Sequence, residues 1–162
     1  MSCSTALTTN KPLIQTKGSI IYLADNLDEK DKLGWCIDTD GKGFSDTLQA
    51  HSCKPEGNDV LFSYNEETLQ ICSVTYPGYC AAMVGGPKQD MTISLVKSNP
   101  SSSEQKFTYH KASGEFRPAV DPKLCLVVAS SSDSAGPYMS RELTLKNPEG
   151  IKKELKHWVI QK

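Results

Sequence analysis

A short unit, a cysteine between two apolar residues, occurs three times in the chain and restricts the fold more than any other feature. The units are Trp35-Cys36-Ile37, Tyr79-Cys80-Ala81 and Leu124-Cys125-Leu126, and their cysteines are 44 and 45 residues apart. A bulky aromatic residue follows each unit after a comparable gap: Phe62, Phe107 and Trp158. Self-similarity at a fixed period is the signature of a repeat architecture. The sequence therefore predicts three copies, over about 18–66, 67–113 and 114–162, after an N-terminal arm of residues 1–17.

The segments within each copy have the pattern of short strands rather than of helices. They are β-branched or alternate in polarity, and turn residues separate them: SIIYL (19–23), DVLFSY (59–64), TLQICSV (68–74), MTISLV (91–96), KFTYH (106–110), LCLVVA (124–129) and ELTL (142–145). Only EGIKKELKH (149–157) suggests a helical turn, and it is too short for a stable isolated helix. The pattern predicts an all-β chain, and three copies of roughly four strands predict a threefold barrel.

Length and charge exclude several classes of protein. The 162 residues suit one domain, and 18 basic against 19 acidic residues leave no positive surface for nucleic acid or an anionic membrane. No run approaches the roughly 20 apolar residues of a membrane span, and MSCSTALTTNK lacks the apolar segment of a signal peptide. We therefore expect no nucleic-acid partner, no membrane insertion, and either a cytosolic protein or the mature form of a secreted one.

The cysteine spacing bears on that choice. None of the six cysteines forms a C-x-x-C pair, which argues against a zinc site or a redox motif. Cys36 and Cys53 flank one candidate loop, while Cys72 and Cys80 lie on either side of a Pro-Gly turn. If both pairs close as disulfides, the protein belongs in an oxidising, extracellular compartment; reduced and buried thiols in a cytosolic protein are the alternative. Two cysteines have no evident partner: Cys3 and Cys125.

The repeats resemble a known lectin family. In the ricin B-chain type, or R-type, of β-trefoil lectin, each of three subdomains carries a C-[LIV]-D unit and ends in a Q-x-W element. CIDTDGKGFSDTLQAHSC (36–53) is similar to the first subdomain, and QKF (105–107) keeps the glutamine with Phe in place of Trp. Val60 and Lys156 occupy the glutamine positions of the other two copies. The resemblance covers about residues 18–160. It implies a β-trefoil that binds sugars without catalysis, closest to marine invertebrate galactose-binding members.

Comparison among the copies singles out Asp38. The equivalent residue is Ala82 in YCAAMV and Val127 in LCLVVA, so this scaffold does not need an aspartate there for folding. Asp and Gly also cluster in surface turns without any ligand, which is the competing interpretation. The comparison favours a ligand role for Asp38, and it predicts one site in each chain, in the first copy.

The resemblance implies a pocket for terminal galactose or N-acetylgalactosamine, as in lactose-like glycans. Such a ring offers hydroxyls on one edge and C–H groups on one face, so a pocket needs a carboxylate acceptor, nearby backbone and an apolar platform. We expect Asp38 to be the anchor, Asp40-Gly41 the turn, and Asn58 or Asp59 the second polar group. His51 stands where the family has a stacking Trp or Tyr, so it stacks on the sugar or hydrogen-bonds it.

Calcium is a separate expectation raised by the resemblance. Some marine members place Ca2+ between protein and sugar, and their pattern falls on Asp38, the carbonyls of Thr39 and Gly41, and Asp59. Oxygen ligands of this kind suit Ca2+. An EF-hand is excluded, because the twelfth residue of DTDGKGFSDTLQ is Gln49 rather than the bidentate Glu of such a loop. The calcium-bridged and the metal-free forms of the site both stay open.

Two other classes of protein compete with a free-standing lectin. One is a β-trefoil interaction or protease-inhibitor protein without sugar binding, and the other is a targeting module of a toxin or glycosidase. G-x-S-x-G, H-E-x-x-H and phosphate-loop motifs do not occur in the sequence, so we expect no enzyme. The expected partners are galactose-containing glycans and glycoproteins. A haemagglutinin with one site per chain would be a homodimer, because avidity needs linked sites.

Overall fold

The computed structural model describes residues 10–40 and 44–162, so Cys3 and Gly41 lie outside the described residues. Thirteen strands occur in this part of the chain: Ile20–Leu23 (β1), Trp35–Thr39 (β2), Leu48–Ser52 (β3), Phe62–Asn65 (β4), Gln70–Ser73 (β5), Tyr79–Ala82 (β6), Ser94–Lys97 (β7), Phe107–His110 (β8), Glu115–Pro118 (β9), Cys125–Val128 (β10), Asp133–Ala135 (β11), Tyr138–Lys146 (β12) and Trp158–Gln161 (β13).

The strand pairs between these elements are antiparallel. One sheet has the order β10-β12-β3-β2-β1-β13 with β11 beside β12, the second has the order β4-β5-β6-β7, and the third is β8-β9. The chain is all-β, as predicted. The helical turn suggested at 149–157 is a single 3-10 turn at Lys153–Leu155. Among residues 10–40 and 44–162 there is no helix with the length and apolar character needed to cross a membrane.

Several predicted strands have different limits in the structure; MTISLV (91–96), for example, is a strand only from Ser94. DVLFSY was expected to be extended from residue 59, but a 3-10 turn at Asn58–Val60 precedes β4. Gly57 and Asn58 have φ angles of 84° and 59°, and this left-handed backbone interrupts an extended strand. ELTL is the end of the nine-residue strand β12, whose first residues form a hairpin with β11. Asp59 therefore lies on a turn and not on a strand.

The strand that closes one repeat pairs with the strand that opens the next in the same register at three junctions. The equivalent pairs are Leu23 with Trp158, Ser73 with Phe62, and Pro118 with Phe107. The three aromatic residues that follow the cysteine units are completely buried at this one position: Phe62, Phe107 and Trp158. Buried aromatic rings contribute much of the apolar area of a core, so these anchors account for the recurrence of aromatic residues in the sequence.

The position of the family's glutamine is filled differently in each repeat, and its partner on the opening strand changes with it. In the second repeat, Gln70 Nε2 donates to Gln105 Oε1 at 2.8 Å. In the third, Lys156 Nζ lies 2.8 Å from Glu115 Oε2. In the first, the two positions hold apolar residues of one buried cluster: Ile20 and Val60. The departures from glutamine are thus matched by their partners, as an amide pair, an ion pair and an apolar pair.

The described residues form two disulfides, Cys36–Cys53 and Cys72–Cys80, the two pairs named from the spacing. The first joins β2 to the residue after β3, and the second joins directly opposed residues of β5 and β6. Cys125 is buried with a free thiol, and burial raises its pKa to about 11. This thiol is therefore protonated and unreactive at neutral pH.

Candidate functional site

The β2–β3 hairpin positions the predicted anchor. Side chains alternate along β2, so Trp35 and Ile37 enter the core while Asp38 lies on the other face. Asp38 pairs with Gln49 across the hairpin. The equivalent pairs of the other two repeats are Ala82 with Ser94 and Val127 with Thr144. Of these three pairs, only the first contains an acid.

The Asp38 carboxyl group is 1% exposed and has few hydrogen-bond partners. Gln49 Nε2 lies 3.5 Å from Oδ2, at the limit of a hydrogen bond, and Oδ1 has no partner among the described residues. Burial raises the pKa of Asp38 to about 7, with Lys54 opposing the increase and the charge of Asp59 adding to it, while Gln49 and the backbone of Thr39 lower it slightly. Desolvating a carboxylate is costly without donors. Asp38 is therefore a buried acceptor of which one oxygen, Oδ1, has no donor among the described residues.

Asp59 provides a second carboxylate from the 3-10 turn. The Tyr76 hydroxyl donates to Oδ1 at 3.0 Å, and Lys54 Nζ lies 4.0 Å from Oδ2. The adjacent Asn58 is exposed, and its carbonyl accepts a hydrogen bond from the Thr75 hydroxyl. The turn that carries Asp59 contacts β2, and the charge of Asp59 raises the pKa of Asp38, so the two acids are neighbours in the fold. Asp59 is held by Tyr76 on one side and faces the Lys54 cation on the other.

His51 lies on β3 close to Asp38 and is 7% exposed. Its Nδ1 is 2.9 Å from the carbonyl oxygen of Ser52, and because a carbonyl only accepts, Nδ1 carries the hydrogen. The same nitrogen is 3.9 Å from Asp38 Oδ2, too far to donate to it. Burial lowers the pKa of His51, which favours the neutral ring. The ring also packs at a tilt against Tyr138, with 5.5 Å between centroids. Little ring surface is free for stacking, and a contact between His51 and a sugar stays a prediction.

An exposed aromatic residue at the rim was not among the predicted site residues. Phe44 is 48% exposed, and its ring centroid lies 5.3 Å from that of Tyr76 and 4.9 Å from that of Tyr79. Tyr76 thus contacts Phe44 with its ring and Asp59 with its hydroxyl, and so connects the exposed aromatic residue to the second acid. The site residues that were not predicted differ in how visible they are in the sequence. Gln49 could have been found from hairpin pairing opposite Asp38, whereas Tyr76 comes from the second repeat and has no local signal.

The remaining predicted site residues are those of the Asp40-Gly41 turn and the expected calcium ligands. Asp40 is exposed, and its N–H donates to the carbonyl of Thr47 at 2.8 Å. Of the expected calcium ligands, Thr39 is buried in β2 and Gly41 lies outside the described residues. Groups of three His, Cys, Asp or Glu residues able to hold a metal do not occur within residues 10–40 and 44–162. Two carboxylates with one unpartnered oxygen fit Ca2+ only if further oxygen donors join them, and Lys54 adds a competing cation.

The sequence matches no protein-family model and no curated protein sequence, but solved structures match the fold. The C-half of an earthworm R-type lectin in complex with GalNAc has a TM-score of 0.61 and 13% identity, covering 90% of this chain and 98% of that one. The agglutinin of Abrus precatorius has a TM-score of 0.64 and 13% identity, covering 94% and 48%. GalNAc-T7 with UDP, GalNAc and Mn2+ has a TM-score of 0.58 and 18% identity, covering 78% and 20%.

These similarities concern the fold. The chain spans a fifth of the matched GalNAc-T7 chain and about half of the agglutinin chain. Together with the threefold register of the strand pairs, they confirm the predicted class: the protein has the β-trefoil fold of the R-type lectins.

Proposed function

We propose that the chain is a lectin that binds terminal galactose or N-acetylgalactosamine through one site, in the first repeat. The observation that carries the proposal is the buried Asp38 carboxyl group, whose Oδ1 has no partner among the described residues. An unsatisfied buried polar group costs stability, so its presence in a native site calls for an explanation such as a missing ligand. Ala82 and Val127 are equally buried at the equivalent positions. The scaffold therefore does not require the acid.

A sugar supplies the donors that Asp38 lacks. Two adjacent hydroxyls of a galactose ring can each donate to one oxygen of a carboxylate. Gln49 offers an amide, and Asp59 offers an acceptor beside Asp38. The rim residues Asp40 and Asn58 are exposed and accessible to further hydroxyls. In this arrangement Asp38 anchors the ring and the other groups select among its hydroxyls.

The structural neighbours support sugar binding in general. The earthworm lectin C-half was solved with GalNAc bound, and this chain covers nearly all of it. At 13% identity this similarity supports the fold and not the sugar specificity. The proposal of a galactose-type ligand is therefore based on the chemistry of Asp38. We propose glycans and glycoproteins as partners and no enzymatic activity. A sugar-binding module inside a larger protein is the second candidate, because the chain matches only a fifth of the GalNAc-T7 chain.

The donor set favours direct binding of the sugar hydroxyls over a calcium bridge. Lys54 lies 4.0 Å from Asp59 Oδ2 and already balances part of the negative charge. A calcium-bridged site would need Asp38, Asp59 and carbonyl donors such as those of Thr39 and Gly41. We therefore propose that the site binds sugar without a metal ion. Sugar binding measured in a chelator tests this.

Two features of the proposed lectin go beyond the site itself. The two disulfides favour an oxidising compartment, so we propose an extracellular protein. Mass measurement under non-reducing conditions tests this, since six free thiols in the native protein would contradict it. One site per chain binds glycans without cross-linking cells, so agglutination would require a homodimer.

A glycan array with three proteins tests the proposal. The wild-type chain is expected to bind galactose-terminated glycans, in calcium and in a chelator alike. D38N is expected to lose this binding, while the control D133N, at an exposed position of β11, keeps it. An array without bound glycans would favour the β-trefoil interaction or inhibitor protein, and binding that survives in D38N would place the site elsewhere.

A further inference from the structure

The second repeat contributes an aromatic wall to the site of the first repeat. Phe44 belongs to the loop of the β2–β3 hairpin, whereas Tyr76 and Tyr79 lie at the turn before β6 and at its start. Both tyrosine rings contact the Phe44 ring in edge-to-face geometry. Such aromatic packing fixes the orientation of a ring beyond the effect of burial alone. Phe44 nevertheless keeps 48% of its surface exposed, so a ring held by two tyrosines presents open apolar area.

Tyr76 connects that wall to the acids. Its hydroxyl donates to Asp59 Oδ1 at 3.0 Å, and the same ring carries the contact to Phe44. The pKa of Tyr76 is raised by burial first, then by the hydrogen bond and charge of Asp59, and also by the charge of Asp38. The Tyr76 hydroxyl is therefore in the field of both carboxylates. A hydrogen bond to a charged acceptor is stronger than a neutral one and restricts the acceptor's rotamer.

The other repeats lack an aromatic residue at this position. Counted as four residues before each repeat cysteine, the equivalents of Tyr76 are Lys32 and Asp121. The residue before the glutamine position, which is Asp59 in the first repeat, is Glu104 in the second and Leu155 in the third. The tyrosine thus occurs at the one junction where it can reach an aspartate next to a second acid.

Resting on the proposed sugar-binding function, we propose that the site spans two repeats: Tyr76 is a positioning residue that holds Asp59 and Phe44, and Phe44 is the platform for the C–H face of the sugar. Asp59 then accepts a hydroxyl with the oxygen that Tyr76 does not use, toward Lys54. The ring of the sugar lies between the Asp38–Asp59 pair and the Phe44 ring. Specificity for a ring with one apolar face follows from this wall and not from His51, whose ring packs against Tyr138.

A double-mutant cycle with lactose as the probe tests the positioning role. Y76F removes only the hydroxyl, and we expect it to weaken lactose binding about tenfold, the effect of one charged hydrogen bond. D59N should weaken lactose binding as well. The double variant should bind lactose about as well as whichever single variant has the lower affinity, because Tyr76 acts through Asp59. Y109F is the matched control. It removes a tyrosine hydroxyl that donates to the Trp158 carbonyl in another part of the fold, and it should bind lactose as the wild type does.

A second variant tests the platform. F44L keeps apolar volume but loses the flat ring, and we expect about fivefold weaker binding, with only a small decrease in the thermal midpoint of the free protein from the lost contacts with Tyr76 and Tyr79. Additive losses in Y76F and D59N, or unchanged binding in Y76F and F44L, would overturn the two-repeat site while leaving the lectin function intact. A wild-type chain that binds neither lactose nor any galactosylated glycan would overturn the proposed function and this site together.

Discussion

Asp38 on β2 faces Gln49 on β3, yet the amide nitrogen of Gln49 lies 3.5 Å from Asp38 Oδ2, and the other oxygen has no partner in the described part of the chain. The register that creates this pair is the same in the other two repeats, where the pairs are Ala82 with Ser94 and Val127 with Thr144. The fold therefore tolerates small and apolar residues at this place. A buried acid with one oxygen unpartnered among the described residues is expected to have both a binding role and a cost in stability, and each can be measured.

Lactose affinity should depend on pH through Asp38. Its pKa in the free protein is raised to about 7, first by burial, and sugar hydroxyls that donate to the carboxylate bind only the ionised form. Affinity is thus expected to be constant above pH 7 and to fall about tenfold for each pH unit below it. Titrations between pH 5.5 and 8.5 measure this.

The groups facing Asp38 provide the controls for that experiment. Burial lowers the pKa of His51 below its ordinary value. Lys54 and Asp59 form an ion pair with each other. H51Q should keep the pH profile if Asp38 is the titrating group. A profile that becomes flat in H51Q, or a wild-type profile without any change between pH 5.5 and 8.5, would contradict the assignment.

D38N should stabilise the free protein at high pH. The pKa of Asp38 is raised from 3.8 in the unfolded chain to about 7 in the folded protein, so the folded state binds the proton more tightly. Its stabilising contribution is complete below pH 4 and is lost as the pH rises to 7. The decrease in the free energy of unfolding has an upper limit of about 4 kcal/mol. The neutral amide of D38N does not ionise and so avoids this decrease. Urea unfolding at pH 4 and pH 8 should show a gain for D38N only at pH 8, with D133N as control. An equal effect at both pH values would contradict the raised pKa.

The Glu115–Lys156 pair should be replaceable by the amide pair of the second repeat. Glu115 is buried; burial acts to raise its pKa, but hydrogen bonds from Lys156 and Arg117 outweigh this and lower it. K156Q alone leaves the buried carboxylate with Arg117 as its remaining partner and is expected to cost about 1–3 kcal/mol of unfolding free energy. The double variant E115Q/K156Q should recover most of that loss, because it reproduces the geometry of Gln70 and Gln105. Urea midpoints measure both variants, and additive losses would contradict the equivalence of the pairs.

The sequence and the structure agree where a feature recurs in each repeat. Phe62, Phe107 and Trp158 were recognisable as anchors because one position of a threefold fold demands a large buried ring, and the same demand appears three times. The fold class follows from that recurrence. The placement of Asp38 opposite Gln49 is also accessible from hairpin pairing.

The features that could not be predicted arise between elements that are distant in sequence. Tyr76 reaches Asp59 across a repeat junction, and such a contact leaves no periodic pattern in either segment. The turn that carries Asp59 was misassigned to a strand because the left-handed backbone of Gly57 and Asn58 precedes an otherwise strand-like run. The His51 ring packs against Tyr138, which belongs to the third repeat, so the sequence of the first repeat alone gives no sign of this contact.

Calorimetric titration of lactose into the wild type and D38N at pH 8, with calcium and again with a chelator, tests the central claim most directly. We expect saturable binding by the wild type in both conditions and a loss of about 100-fold or more in D38N, since two hydrogen bonds to a charged acceptor disappear. Binding of equal strength by D38N would contradict the role of Asp38, and wild-type binding that vanishes with the chelator would replace direct recognition by a calcium bridge.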